Sequence, residues 1–248
     1  IMSALLVEAG TTRANDPIEG MRGFFGAFDG DYMPEVLTND LGKVFFGVNN
    51  SFKFYPCCSF QGTSLDALLS LVHEHNIAPE DVIEIAFEVG PFTLTMFEQK
   101  GCIDRYEVQT PVQGQFSLPW TAANAVVHRK VGIDNFTEQA LRNEQVLNLV
   151  RKVTHKLNPD FASTVTMTME PSIATIKMQN GQVYSKRVDK HIGSPENPAG
   201  WDMIIDKFKN CCSHAIKPIP QANIDEVVRM VQSLEDVADV AKLVRLLA

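Results

Sequence analysis

The chain has 248 residues, 45% of them hydrophobic, enough to bury a full core in one or two domains. A formal net charge of −8 and a pI near 5.3 exclude a general nucleic-acid or polyanion binder, because phosphate binding needs clustered Lys and Arg. No apolar run reaches the roughly 20 residues that span a bilayer and no basic stretch leads into an apolar one as in a signal peptide, so a cytoplasmic protein without a membrane partner is expected.

Residues 1–9, IMSALLVEA, read as the end of an apolar helix stopped by Gly10, with no start signal before it. The chain is therefore expected to begin inside an element, as the C-terminal part of something longer or as one half of a split protein. After the polar turn TTRAND, Asp16 is placed as an N-cap and Pro17 at the first position of a helix through IEGMRGFFGAF. From GDYMPEV to about Asn50 the chain reads as a connector, with one apolar patch, VFFGV, that suits a short strand.

TSLDALLSLVHEHN restores a helix: Leu65, Leu68, Leu69 and Val72 form its apolar stripe, Thr63 or Ser64 suits its start, and Asn76 its end. The next stretch turns on Pro79 into a strand with Ile83, Ile85, Phe87 and Val89 on one face and Glu84, Ala86 and Glu88 on the other. In GQFSLPWTAANAVVHRKVG, Ser117 caps a helix that runs to the basic turn at His128 to Lys130. Two short helices follow, TEQALRN and EQVLNLVRKV. Period-two stretches at residues 163–169, 172–178 and 182–188 then predict strands, the last two joined through Asn180-Gly181 in a type I′ turn. Past HIGSPENPAG come three helices, at 198–212, 223–234 and 236–247.

This order predicts an α+β fold: a small, largely antiparallel sheet with helices, inserted into an all-α helical domain of which only part is present. The boundaries follow as residues 1–48 for the end of the first helical part, 49–190 for the α+β unit, and 191–248 for the returning helices.

Few residues suggest chemistry on their own. Cys57, Cys58, Cys102, Cys211 and Cys212 include no C-x-x-C, so reduced, mostly buried thiols are expected and no metal. His73, His75, His128 and His155 lack the spacing of a helix-borne metal site, and neither G-x-S-x-G nor a phosphate-cradling glycine loop is present. No cofactor is expected. FKFYPCCSFQ stands out. Phe52, Phe54 and Tyr55, with Pro56 restricting the backbone, can hold the Lys53 stem rigidly and exclude water, which strengthens its attraction for a carboxylate. A surface lysine beside a packed turn explains the same residues.

FKFYPCCSFQGTSLDALLSLVHEHNIAPEDVIEIAFEV resembles the K-x-Y-P-C-C, helix, I-x-x-I-x-V segment of the MmgE/PrpD family, which includes 2-methylcitrate dehydratase, cis-aconitate decarboxylase and iminodisuccinate epimerase. QFSLPWTAANAVVHRKVGIDNFTEQALRNEQVLNLVRKV is similar to its Q-F-S-L-P-Y helix and the D-x-F run after it, and GQVYSKRVDKHIGSPENPAGWDMIIDKF to the end of its sheet. The likeness covers nearly the whole chain in order. It implies a helical domain with an α+β lid, an active site in the cleft between them, and a homodimer. The family's N-terminal half, which carries active-site histidines, an aspartate and a further lysine, has no counterpart here, so a complementing chain bearing that helical half is an expected partner.

Position by position the resemblance implies little. Lys53 falls on the family's lid lysine, which meets a substrate carboxylate or helps move protons. Cys58 falls where decarboxylase members carry histidine, and Trp120 where tyrosine is usual; both become candidate substrate-binding residues, although an indole nitrogen only donates. These departures weigh against decarboxylation. Arg22 and Lys43 are further cations near the connector, where surface roles explain them. The expected activity is a carbon–oxygen lyase of the dehydratase type acting on a small di- or tricarboxylate such as 2-methylcitrate. An epimerase, a decarboxylase, and a non-catalytic lid or dimerisation subunit or degenerate regulatory copy are the alternatives.

Overall fold

The structure, a computed structural model, describes residues 1–12, 15–28, 33–98, 104–161 and 170–248. It divides into two compact units, Ile1–Val48 and Asn49–Ala248.

In the first unit, helix α1 (Met2–Glu8) ends before Gly10, whose φ of 93° takes the chain out of the helix. The helix expected from Pro17 is not formed. Asp16 has a φ of 55° in a turn, and only α2 (Phe24–Ala27) is helical. Gly20, Gly23 and Gly26 explain this, since each glycine costs about 1 kcal/mol of helix propensity. The patch expected as a strand instead contains a 3₁₀ turn, Phe46–Asn49. Met2, Phe24, Phe28 and Phe46 are all exposed.

The second unit is built on a sheet and the helices that cover it. Helix α3 (Gly62–Glu74) buries Leu65, Leu68, Leu71 and Val72, and Asn76 ends it with a φ of 47°. Thr63 and Ser64 do not cap it. Their hydroxyls reach outward, Thr63 Oγ1 donating to the Glu170 carbonyl at 2.7 Å and Ser64 Oγ lying 2.8 Å from Ser172 Oγ.

Strand β1 (Val82–Val89) buries Val82, Ile85, Phe87 and Val89. Ile83, expected on that face, is exposed, because a register shift between Val82 and Glu84 adds a residue and turns the start of the strand over. Helices α4 (Pro91–Glu98), α5 (Pro111–Gln115) and α6 (Leu118–His128) follow. As expected, Ser117 caps α6 by accepting from the Trp120 amide at 3.0 Å.

TEQALRN forms only a 3₁₀ turn, Ala140–Arg142, and Asn143 then caps α7 (Glu144–Val150) through Oδ1. The helix expected to run to Val153 stops at Val150, and Val153–Leu157 is strand β2, parallel to β1. Only Val153 of β2 is buried, so the periodic pattern of an interior strand is missing from its sequence. Strands β3 (Ser172–Met178) and β4 (Val183–Val188) complete a sheet of order β2-β1-β3-β4, with β1–β3 and β3–β4 antiparallel. The stretch 163–169 expected as a further strand lies outside the described residues.

The β3–β4 turn differs from type I′. Gly181 has a φ of 83° and Asn180 does not have a positive one; Gly181 N donates to the Met178 carbonyl and Met178 N to that of Gln182. These bonds define a three-residue loop in which only the glycine is left-handed.

Helix α3 lies against β3, β4 and α6, and α6 against α7 and β2, so one face of the sheet is covered. On the other face Glu84 pairs with Lys177 at 2.6 Å and Glu88 with Lys156 at 3.1 Å. The fold is α+β. Helices α8 (Trp201–Ser213), α9 (Gln221–Gln232) and α10 (Ala241–Leu246) close the chain, with Ile224, Val227 and Met230 of α9 buried. Among the described residues no helix is long and apolar enough to cross a membrane.

Candidate functional site

Residues 50–58 cross from the sequence neighbourhood of α3 as an irregular strap held at several points. Phe52 N donates to the Gly193 carbonyl at 2.8 Å, and Lys207 Nζ to the Phe54 carbonyl at 3.5 Å. Further on, Cys58 N donates to the Gln115 carbonyl at 2.8 Å, which also accepts from Gln61 Nε2 at 3.2 Å; Thr121 Oγ1 donates to Gln61 Oε1 at 2.5 Å. The strap is thereby tied to the end of α5 at one end and to the loop around residue 193 at the other.

Asp66 of α3 joins the same two segments from below. Its Oδ1 accepts from Tyr55 OH at 2.5 Å and its Oδ2 from the Ile192 amide at 2.6 Å. Between strap and loop lies a pocket of about 20 Å³, lined by Lys53, Phe54, Tyr55, Cys58, His191 and Ile192 among others. That is room for about one water-sized group, and the surface it exposes is mostly apolar.

The charges there are set mainly by burial. Burial raises the Tyr55 phenol, with the neighbouring Asp66 carboxylate adding to it. Burial also raises Asp66, opposed by its hydrogen bonds from Tyr55 and Ile192. The Cys57 thiol is pushed up to about 12 by burial, against the pull of the Lys53 ammonium, so it is a neutral thiol at physiological pH. Burial lowers His191, against the carboxylates of Asp66 and Glu196, which raise it. His191 is 7% exposed, and among the described residues its buried Nε2 has no hydrogen-bond partner. Lys53 is exposed and is among the residues that line the pocket.

Of the three residues expected to meet substrate, Lys53 and Cys58 share this wall. Trp120 does not join them. It is fully buried, its Nε1 donates to the Asn135 carbonyl at 3.2 Å, and it packs against Gly114, where an added Cβ would lie 3.0 Å from the indole. Its one donor is already engaged, so here it serves the core. The sequence reading missed Asp66 and His191. Asp66 lies off the apolar stripe of Leu65, Leu68, Leu69 and Val72, and HIGSPENPAG follows no periodic pattern; nothing local joins either to Lys53. Cys57, Cys58, Cys211 and Cys212 are free thiols, and among the described residues no three His, Cys, Asp or Glu side chains gather as a metal site.

A sequence profile of the MmgE/PrpD C-terminal domain matches residues 55–233. The chain belongs to the MmgE/PrpD family. Curated relatives include cis-aconitate decarboxylase of Mus musculus, 23% identical over 238 residues that make up 95% of this chain and 47% of that protein. Cis-aconitate decarboxylase of Homo sapiens is 22% identical over 249 residues, 95% of this chain and 48% of that one. The chain thus spans about half the length of the curated relatives it matches. The MmgE/PrpD match takes in Tyr55, Cys58, Asp66 and His191 and begins two residues after Lys53.

Proposed function

We propose that this chain supplies the cationic wall of the active site of a carbon–oxygen lyase acting on a small di- or tricarboxylate such as 2-methylcitrate. The observation that carries the reading is the exposed Lys53, held by the strap beside a small pocket. The relatives named for cis-aconitate, a tricarboxylate, support the substrate class. Lys53 would orient one carboxylate and offset the negative charge that builds on it as the α proton leaves, where a cation fixed in place beforehand is worth most. A base from the family's helical half takes that proton, and an acid assists loss of the β-hydroxyl as water. The pocket holds about one water-sized group, so the substrate must lie almost wholly outside it.

Decarboxylation is a second reading, favoured by the names of both relatives. Cys58, where the family's decarboxylases carry histidine, counts against it. Assays with 2-methylcitrate, citrate and cis-aconitate, using this chain together with one bearing the helical half, separate the two: water loss or addition on one side, CO₂ release on the other. Lys53→Ala is expected to lower kcat/KM by about 10²-fold, roughly 2.7 kcal/mol. Unchanged turnover in a folded variant would remove Lys53 from the mechanism.

A further inference from the structure

We propose that His214 is a proton-controlled latch: as an imidazolium it ties the C-terminal end of α8 to the turn that follows α6, and on losing a proton it lets that end go. The inference goes beyond the carboxylate reading of Lys53 and does not depend on it.

Three observations carry it. The first is the set of atoms around the ring. Nδ1 lies 2.8 Å from the Asn210 carbonyl and 3.1 Å from Ser213 Oγ, and Nε2 lies 2.8 Å from Asp134 Oδ1. A carbonyl and an ionised carboxylate only accept, so both ring nitrogens must carry protons, and only the charged ring has two. A neutral ring in either tautomer sets a lone pair against one of these oxygens. An exposed ion pair contributes little by itself; the second bond, to the helix's own carbonyl, is what makes this contact conditional on charge.

The second is the firmness of the partner. Asp134 belongs to the 3₁₀ turn Ile133–Phe136, in which Asn135 Oδ1 accepts from Gly132 N at 2.7 Å and the Asn135 carbonyl accepts from Nε1 of the fully buried Trp120. Phe136 is buried as well. The indole thus anchors the turn that presents Asp134.

The third is how few ties α8 has. Cys212 is its one buried side chain. Among the described residues, side-chain hydrogen bonds join α8 and its cap to earlier parts of the chain at two places, Lys207 Nζ to the Phe54 carbonyl and His214 Nε2 to Asp134. Beyond the latch, AIKPIP at residues 215–220 leads into α9 with Ile216 exposed, so nothing there replaces it.

The charges around the ring fix the direction of the switch. Asp134 faces it from the turn, and Lys130 helps keep that carboxylate ionised; Arg142 lines the same surface groove as Asp134 but, among the described residues, forms no ion pair with it. The C-terminal end of α8 itself favours a cation. The Asn210 carbonyl and then the Asp134 carboxylate raise His214 above its ordinary 6.5, and the bond from His214 holds Asp134 below its ordinary 3.8. The part that His214 contributes is therefore fully present below 6.5 and is lost as pH rises through its raised value; the part that Asp134 contributes is present above 3.8 and is lost as pH falls through its lowered one. Between those limits the latch is closed.

The 248-residue chain carrying ring-¹⁵N histidine is titrated by NMR, the His214 signal being assigned by its loss in His214→Gln. In parallel, hydrogen exchange of residues 133–136 and 210–214 is followed by mass spectrometry at about pH 6 and about pH 9, corrected for the pH dependence of intrinsic exchange. The expected results are a His214 ring that titrates above 6.5, a downward shift of that titration in Asp134→Asn, and a loss of protection in both segments at the higher pH. In His214→Gln the protection should be low at both pH values, so that the step between them disappears. A ring that titrates at or below 6.5, or whose titration does not move in Asp134→Asn, overturns the inference. So does a step in protection that survives in His214→Gln. The ring titration is read in the unmodified chain, so that outcome does not depend on a variant folding.

Discussion

A buried carboxylate joins the two segments that form the pocket. Asp66 holds the strap through Tyr55 and the following loop through the Ile192 amide, and both donors lose this acceptor if it is removed. Asp66→Ala is therefore expected to lower stability by about 2–4 kcal/mol in urea unfolding, the cost of leaving a buried hydroxyl and amide unpaired. Burial raises the Asp66 carboxyl above its ordinary 3.8, so ionising it in the folded chain costs stability: the pH-dependent part of its contribution is fully present below that value and is lost as pH rises through the folded one, while its two hydrogen bonds remain. The variant should lack that acid-side dependence. A loss under about 0.5 kcal/mol would show that strap and loop are held by other contacts.

Among the elements, the loop after β4 is the one whose backbone decides where Lys53 sits. Gly193 has a φ of 89°, and a Cβ there would lie 2.7 Å from the Phe54 ring and 2.8 Å from the Phe52 carbonyl, the residues on either side of Lys53. Gly193→Ala should therefore cost about 1–3 kcal/mol and loosen the strap, seen as faster hydrogen exchange at the Phe52 amide that donates to residue 193. Unchanged protection would mean that the strap keeps its place without this contact. The glycine lies in HIGSPENPAG, but its clash partners lie in a segment far earlier in the chain. The same limit hid the register shift in β1: alternation alone puts Ile83 inside, and only pairing with β3 turns Val82 inward instead.

At the scale of the whole molecule, large apolar side chains remain uncovered in both units. Leu5, Leu6, Phe24 and Phe28 are exposed in Ile1–Val48, and Val240 and Val244 in Asn49–Ala248. Exposed apolar area of this kind drives association, and the chain is expected to scatter light as a dimer or larger species, or to be found with a partner. A stable particle of 27.6 kDa would contradict this. Here too the sequence was informative in part, since the apolar helix at residues 1–9 was readable from its pattern.

Local sequence fixed whatever depends on neighbours along the chain. The Ser117 cap of α6, the stop of α1 at Gly10, the apolar stripe of α3 and the aromatic setting of Lys53 all follow from side chains a few residues apart, where backbone geometry alone dictates who meets whom. Tertiary structure decided what depends on distant segments meeting: β2 as a parallel edge strand, Trp120 as a core residue with its donor engaged, and His191 beside Lys53. Those outcomes rest on burial, and the burial of a group is set by the atoms that fold over it.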